Sequence, residues 1–492
     1  MAKRIMIQGT MSGVGKSLLC AGLCRIFMQD GYKVAPFKSQ NMSLNSYVTD
    51  SGKEISRAQV IQAQAAGVKP DIRMNPILLK PLSEYGSEVL VNGDVAGNMR
   101  ADEYFEYKRM LIPHIMEAYN SLSEDFDVIV IEGAGSPAEI NLRENDIVNM
   151  GLAEMVNSPV LLVGDIDRGG VFAQLYGTVA LLEKKEQRRI EGFIINKFRG
   201  DMELLRPGLK MFEDKLGIPV TGVVPYMDID IDDEDSMAPR LVYRGQQKPL
   251  EIAVVRLPRI SNFTDFAPLE AHPKVCVRYC TRPSELERAN MVIIPGTKSV
   301  ISDLRWLQEN KFDEAIKKAA YEGKPILGVC GGYQMLGETL NDPYGTEGGG
   351  EGVFKGLGLL PAKTVCGAQK TRLRCQGTVA VKAFEGVKVD GYEIRTSITE
   401  TTGRPFCILN DGRKDGCVVN NVCGTYLHGL FDTGEMTEAV VKLLSMQKRI
   451  HYKEEKPVNR AEFLDRQYDI LADYVRAALD MDDIYSVMEG QS

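Results

Sequence analysis

The stretch IMIQGTMSGVGKSLLC, Ile5–Cys20, reads as a short apolar strand, a glycine-rich turn and the start of a helix. In such a turn the backbone N–H groups and the helix N-terminus together form a site for phosphate. Gly9, Thr10, Gly13, Val14 and Gly15 make the cradle, Lys16 reaches the outer phosphates, and the Ser17 hydroxyl is placed to ligate Mg²⁺. The usual phosphate-loop spacing has glycine where Thr10 stands; here Gly9 comes one residue earlier. A strand before the turn and G-K-S at the helix start favour a nucleotide site over a glycine turn without ligand.

Outward from this turn, short apolar runs alternate with helical patterns, the signature of a parallel α/β fold. Strands are expected at Arg4–Gln8, Lys33–Phe37, Val128–Glu132, Pro159–Val163, Gly192–Ile195 and Val220–Val224, with helices at Lys16–Gln29 and Asn145–Met155. DVIVIEGAGS, Asp127–Ser136, ends a buried strand with Glu132, which is placed to hold Mg²⁺ directly or through water. Taken alone, Glu132 is a strand-end acid and Lys38 a solvated lysine; beside the phosphate loop they become metal and phosphate candidates. FIINKFRGD puts Asn196 at another strand end, near where a base would lie. The guanine-reading pattern N-K-x-D would need aspartate at 199, where Arg199 stands, so ATP is expected rather than GTP.

A second α/β series begins at Glu251, with strands at Glu251–Arg256, Val275–Tyr279, Met291–Pro295 and Pro325–Val329. The last runs into PILGVCGGYQML, a strand, G-x-C-x-G and a helix: the thiol form of a nucleophile elbow. A free cysteine is more often packing material. Here glycines permit the tight turn, the helix N-terminus favours thiolate, and the Gly331 N–H is placed to hold an oxyanion. Of the four histidines, His114, His272, His428 and His451, the candidate base is His428, between glycines after a strand. Gly296, in the turn of VIIPGTKSV, is a second candidate oxyanion donor. Cys330, His428 and Gly296 together suggest acyl transfer through a thioester.

Composition bounds the answer. With 492 residues, two or three domains are expected. The organisation read from sequence is a nucleotide-binding domain at 1–237, a linker at 238–250, a second α/β domain with the thiol elbow at 251–445 and a helical tail at 446–492. Residues 228–235 are an acidic loop, and roughly 352–422 is β-rich. No apolar run approaches membrane-spanning length, and the apolar start is too short and too interrupted for a signal peptide; the expected compartment is the cytoplasm. A net charge of −8 argues against nucleic acid as the main partner. Ten cysteines without a C-x-x-C are read as reduced thiols, neither a disulfide scaffold nor a zinc site.

The elbow and the downstream histidine resemble class I glutamine amidotransferase domains. Most of these have His-Pro-Glu, but Gly429 and Leu430 follow His428, so no orienting acid is assigned. That departure, and almost the whole chain, resembles the cobyric acid synthase and cobyrinic acid diamide synthase family. GTMSGVGKS matches the shifted phosphate loop that the family shares with dethiobiotin synthetase. FKSQNMSLNSYVT, GDIDRGGVFAQLYGT, LPRISNFTDFAPLE and GVCGGYQMLG are similar to the cobyric acid synthase branch. Arg395 stands where the family usually has histidine.

The resemblance implies a P-loop NTPase domain joined to an amidotransferase domain. It implies amidation of the b, d, e and g carboxylates of adenosylcobyrinic acid a,c-diamide, with glutamine as nitrogen donor and ATP with Mg²⁺ forming acyl phosphates. It also points to the corrinoid lying near Asn41, Arg57 and an Asn75–Pro81 loop. Two alternatives remain open at this stage: cobyrinic acid a,c-diamide synthase, and a P-loop ATPase switch with an inactive glutaminase-like domain. Such switches usually have an additional lysine early in the loop, where this chain has Met11 and Ser12.

Overall fold

Six apolar runs of the first half pair into one parallel sheet in the computed structural model, which describes residues 2–83, 86–231, 248–453 and 456–490. They are β1 (Lys3–Gly9), β2 (Val34–Phe37), β3 (Val128–Glu132), β4 (Val160–Asp165), β5 (Ile190–Phe198) and β6 (Val220–Pro225), in the order β6-β5-β4-β1-β3-β2. All neighbours run parallel. Every residue of β3 and β4 is buried, which explains why these strands read as unbroken apolar runs instead of alternating ones. The turn after β1 leads into α1 (Lys16–Gln29) at the carboxyl edge of the sheet, where open α/β sheets bind ligands.

Two expectations change. Asn145–Met155 is not one helix: a 3₁₀ turn, Ile140–Asn145, precedes a short helix, Met150–Met155. The Asp146 carboxylate accepts from the N–H groups of Val148, Asn149 and Gly151, giving the backbone partners other than a helix ladder. Asn75–Pro81 is not a loop: Ile77–Ser83 is a strand in a four-stranded sheet with Gln40–Met42, Gly86–Val91 and Asp94–Arg100. Pro76 and Pro81 hide it from a reading of sequence. Pro81 sits where the pairing with Gly86–Val91 shifts register, a place a strand tolerates proline.

Contacts group the chain differently from its linear order. The first unit is 1–42, 55–231 and 464–492; the second is 43–54 and 232–463. The helical end of the chain forms helices Arg460–Ala478 and Met481–Glu489. In the first unit, Arg25 of α1 pairs with Asp465 and Asp469 at 2.8 Å, and Gly22 lies against Val475. The linker read at 238–250 and the acidic run at 232–235 lie largely outside the described residues. Among the described residues, no helix is long and apolar enough to cross a membrane.

The second unit has its own sheet of six strands: β7 (Leu250–Val255), β8 (Val275–Cys280), β9 (Met291–Ile294), β10 (Ile326–Val329), β11 (Cys417–Val419) and β12 (Val422–Thr425). Their order is β8-β7-β9-β10-β12-β11, parallel except for the edge strand β11. After β10 comes a short helix, α2 (Gly331–Leu336). The β-rich stretch is a second sheet around two long antiparallel strands, Ala362–Val379 and Lys388–Thr401.

Candidate active sites

In the first unit the phosphate loop closes around Lys16, whose Nζ donates to the carbonyls of Met11 and Gly135 at 3.0 Å each. Gly15 has φ +98°, and the Asn196 amide fills the space where a Cβ would stand; only glycine fits. Asn196 Nδ2 donates to the Val14 carbonyl at 2.7 Å, so this side chain braces the loop. Lys197 adds a bond from Nζ to the Gly13 carbonyl at 2.6 Å and an ion pair with buried Asp165 at 2.8 Å.

Glu132, at the end of β3, is the hub of the site. Its carboxylate accepts from Ser17 Oγ at 2.7 Å, Lys38 Nζ at 2.8 Å and Gln62 Nε2 at 2.5 Å. Burial pushes its pKa up, but Lys38, Ser17 and Gln62 outweigh burial and hold the carboxyl below its ordinary range. An ionised carboxylate beside a hydroxyl supplies the hard oxygen donors that Mg²⁺ takes together with nucleotide phosphates. Among the described residues, no group of three acidic, histidine or cysteine side chains forms a metal cage, and Mg²⁺ carried on phosphates needs none. Lys38, a phosphate candidate from sequence, is buried on Glu132.

Asn41 and Arg57 are also buried in this unit. Asn41 Nδ2 donates to Ser56 Oγ at 2.5 Å, and Ser56 caps the helix Arg57–Ala65. That helix carries Gln62 to Glu132, so one element touches both the candidate substrate residues and the candidate metal acid.

None of the ten cysteines of the chain is in a disulfide. Eight are buried; Cys330 and Cys423 are partly exposed. Burial pushes the Cys423 thiol up to about 12. Cys330 stands alone on a strained turn, with φ 51° and ψ −109° between β10 and α2. The turn is tight because Gly332 packs directly on the Ile294 carbonyl, and a Cβ on Gly328 would meet Gly332 C at 2.7 Å.

β10 and β12 are neighbours, and Cys330 N donates to the Thr425 carbonyl at 2.8 Å. Three residues past Thr425, His428 therefore comes to the same carboxyl edge as the thiol. Its Nδ1 lies 2.7 Å from Asp265 Oδ2, and the other Asp265 oxygen accepts from Gly429 N at 3.0 Å. Burial alone would lower the pKa of the imidazole; Asp265 and the neighbouring Cys330 sulfur push it up to about 10. A Cβ on Gly296 would meet His428 Cε1 at 3.1 Å, and one on Gly331 would meet Thr297 N at 3.2 Å. The elbow, the base and the 296–297 turn thus converge.

Two family models match the chain: a CobQ/CobB/MinD/ParA nucleotide binding domain over residues 5–239 and a CobB/CobQ-like glutamine amidotransferase domain over 251–436. The cobyric acid synthase of Ruminiclostridium cellulolyticum is 52% identical over 99% of this chain and 98% of its own. That of Lachnoclostridium phytofermentans is also 52% identical, and that of Salmonella agona 49%, each over 99% of both chains. The chain belongs to the cobyric acid synthase family.

For a cobyric acid synthase family member, the sequence names the candidate thiol and base but misses the acid that holds the histidine. Asp265 lies 163 residues before His428, in a 3₁₀ turn, Phe263–Phe266, within LPRISNFTDFAPLE. No spacing rule links the two. Gln62 and Asp165 were missed as well, since an uncharged amide and a strand-end acid carry no signal of their own. Of the other histidines, His114 is in the helix Ala101–Asp125 of the first unit, and buried His272 faces Glu438 at 3.2 Å. Arg395, the family departure, lies over the Tyr426 ring and 3.5 Å from Glu393.

Proposed function

We propose that this chain is a glutamine-dependent amidoligase that amidates the b, d, e and g carboxylates of adenosylcobyrinic acid a,c-diamide. The observation that carries this is its full-length likeness to enzymes named cobyric acid synthase, with both reaction centres built in one chain.

In the second unit the Cys330 sulfur, its proton passed to His428, attacks the side-chain carboxamide of glutamine as thiolate. The carbonyl oxygen becomes an oxyanion, which the N–H of Gly331 and the Gly296 turn receive. His428, held in its protonated form by Asp265, gives its proton to the departing nitrogen, and ammonia leaves. Water, its proton taken by His428, then hydrolyses the thioester, releasing glutamate and restoring the thiolate beside protonated His428.

In the first unit Lys16 and Lys38 neutralise charge as a corrinoid carboxylate takes the terminal phosphoryl group of ATP. Ser17 and Glu132 would hold Mg²⁺, which supplies further charge neutralisation to the phosphates. Phosphorylation turns a poor electrophile into an acyl phosphate, from which ammonia displaces phosphate. Asn41, Arg57 and the strand beginning at Ile77 are the proposed corrinoid side of this site. Free ammonia is mostly protonated at neutral pH, so making it at Cys330 and using it within the same chain preserves its nucleophilicity.

The test is a side-by-side assay with glutamine, ATP and Mg²⁺ on adenosylcobyrinic acid a,c-diamide and on cobyrinic acid. Amide formation on the diamide is expected. Reaction confined to the a and c carboxylates of cobyrinic acid would assign the chain to the sister activity instead.

A further inference from the structure

The second unit contains twelve residues, Ser43–Glu54, whose chain neighbours Met42 and Ile55 both belong to the unit with the nucleotide site. They lie inside the stretch matched by the nucleotide-binding model and far outside the amidotransferase match. Their place in the second unit is beside the base. The ring of Tyr392 is stacked on His428, with centroids 5.4 Å apart and planes 22° from parallel. Two backbone bonds join the same residues: Tyr392 N to the His428 carbonyl at 3.1 Å, and His428 N to the Tyr392 carbonyl at 2.9 Å.

What holds the far end of Tyr392 comes from the inserted segment. The Tyr392 hydroxyl donates to the Ser46 carbonyl at 3.2 Å. Asn262 Nδ2 reaches both the same carbonyl, at 3.0 Å, and the Tyr392 oxygen, at 2.8 Å. Tyr47 packs edge-on against the Tyr392 ring at 5.4 Å, and Arg374 donates to the Tyr47 hydroxyl at 3.0 Å. The segment is itself pinned: Ser46 Oγ donates to buried Glu54 at 2.7 Å, and Lys370 pairs with Glu54 at 2.8 Å.

We propose that Tyr392 is a positioning residue for His428, and that Ser43–Glu54 is the anchor that fixes it, so that glutamine hydrolysis depends on a segment drawn from the nucleotide-binding sequence. Asp265 fixes one edge of the imidazole and Tyr392 fixes its plane. Stacked rings resist tilting only while the second ring is itself held, and a general acid displaced by a fraction of an ångström loses much of its effect. The inference rests on the thioester reading of Cys330 and His428.

The experiment uses the full chain and measures glutamine hydrolysis in three variants, with thermal melting as a fold check. Tyr392→Phe keeps the ring and removes the tether; Tyr47→Ala removes the edge contact made by the segment. Each is expected to lower kcat for glutamine by roughly tenfold while KM stays within about twofold, because geometry and not glutamine binding is disturbed. Wild-type kcat in Tyr392→Phe would overturn the positioning role. Wild-type kcat in Tyr47→Ala beside a slowed Tyr392→Phe would remove the segment from it. A parallel rise in KM, or a lowered melting temperature accounting for the loss, would make the contacts merely structural. Cys330→Ala separates the two levels: if it still hydrolyses glutamine, the underlying thioester reading fails, whatever Tyr392 does.

Discussion

Cys330 and Asp265 are the residues on which the chemistry can be tested one atom at a time. Cys330→Ala should abolish glutamine-supported amidation while ammonium salts still support it, measured as product formed with each nitrogen source. Equal glutamine-supported rates in variant and wild type would remove the thiol from the reaction. Asp265→Asn keeps the shape and removes the charge that holds His428 protonated; a loss of about 10²–10⁴-fold in glutamine turnover is expected. The same pair predicts a pH dependence of stability. The His428 pKa rises from its ordinary 6.5 to about 10 in the folded chain. Its favourable contribution is therefore fully present below pH 6.5 and lost as the pH rises through 10. Thermal melting of the wild type should fall across that window more steeply than melting of Asp265→Asn; parallel slopes would show that the ion pair adds nothing.

Elements place these residues, and the tightness of the elbow is where an element can be broken. Gly332→Ala would drive a Cβ into the Ile294 carbonyl, forcing α2 away from β9 and β10. A destabilisation of about 1–3 kcal/mol is expected by chemical denaturation, with Cys330 displaced and glutamine turnover reduced. At this scale the sequence was a good guide to the strands of the two parallel sheets: β1 to β10 all lie where apolar runs put them, and α1 spans the residues its periodicity gave. It was a poor guide where side chains redirect the backbone. Asp146 splits a helix, and two prolines disguise the strand Ile77–Ser83. Partners distant along the chain were invisible for a different reason. Asp265 meets His428, and Ser46 meets Tyr392, only because folding brings their turns together, and no periodicity records that.

The whole molecule joins a phosphate site and a thiol site in a single polypeptide, and its account predicts opposite outcomes for damage to each. Lys16→Ala should stop amidation with glutamine and with ammonia alike, because both need the acyl phosphate; synthesis surviving in that variant would take Lys16 out of its role. The chain's two excursions, 43–54 and 464–492, also mean that neither unit is a continuous stretch of sequence. Truncation at a linear boundary should therefore disturb both, read as loss of soluble, cooperatively melting protein. The most direct measurement follows the nitrogen itself: mass spectrometry of the corrinoid after incubation with ATP, Mg²⁺ and glutamine labelled with ¹⁵N in its side-chain amide. The account predicts a product in which the b, d, e and g carboxylates have each become a ¹⁵N-labelled amide, with no such product from Cys330→Ala. An unaltered corrinoid, or labelled amides formed equally well by Cys330→Ala, would contradict it.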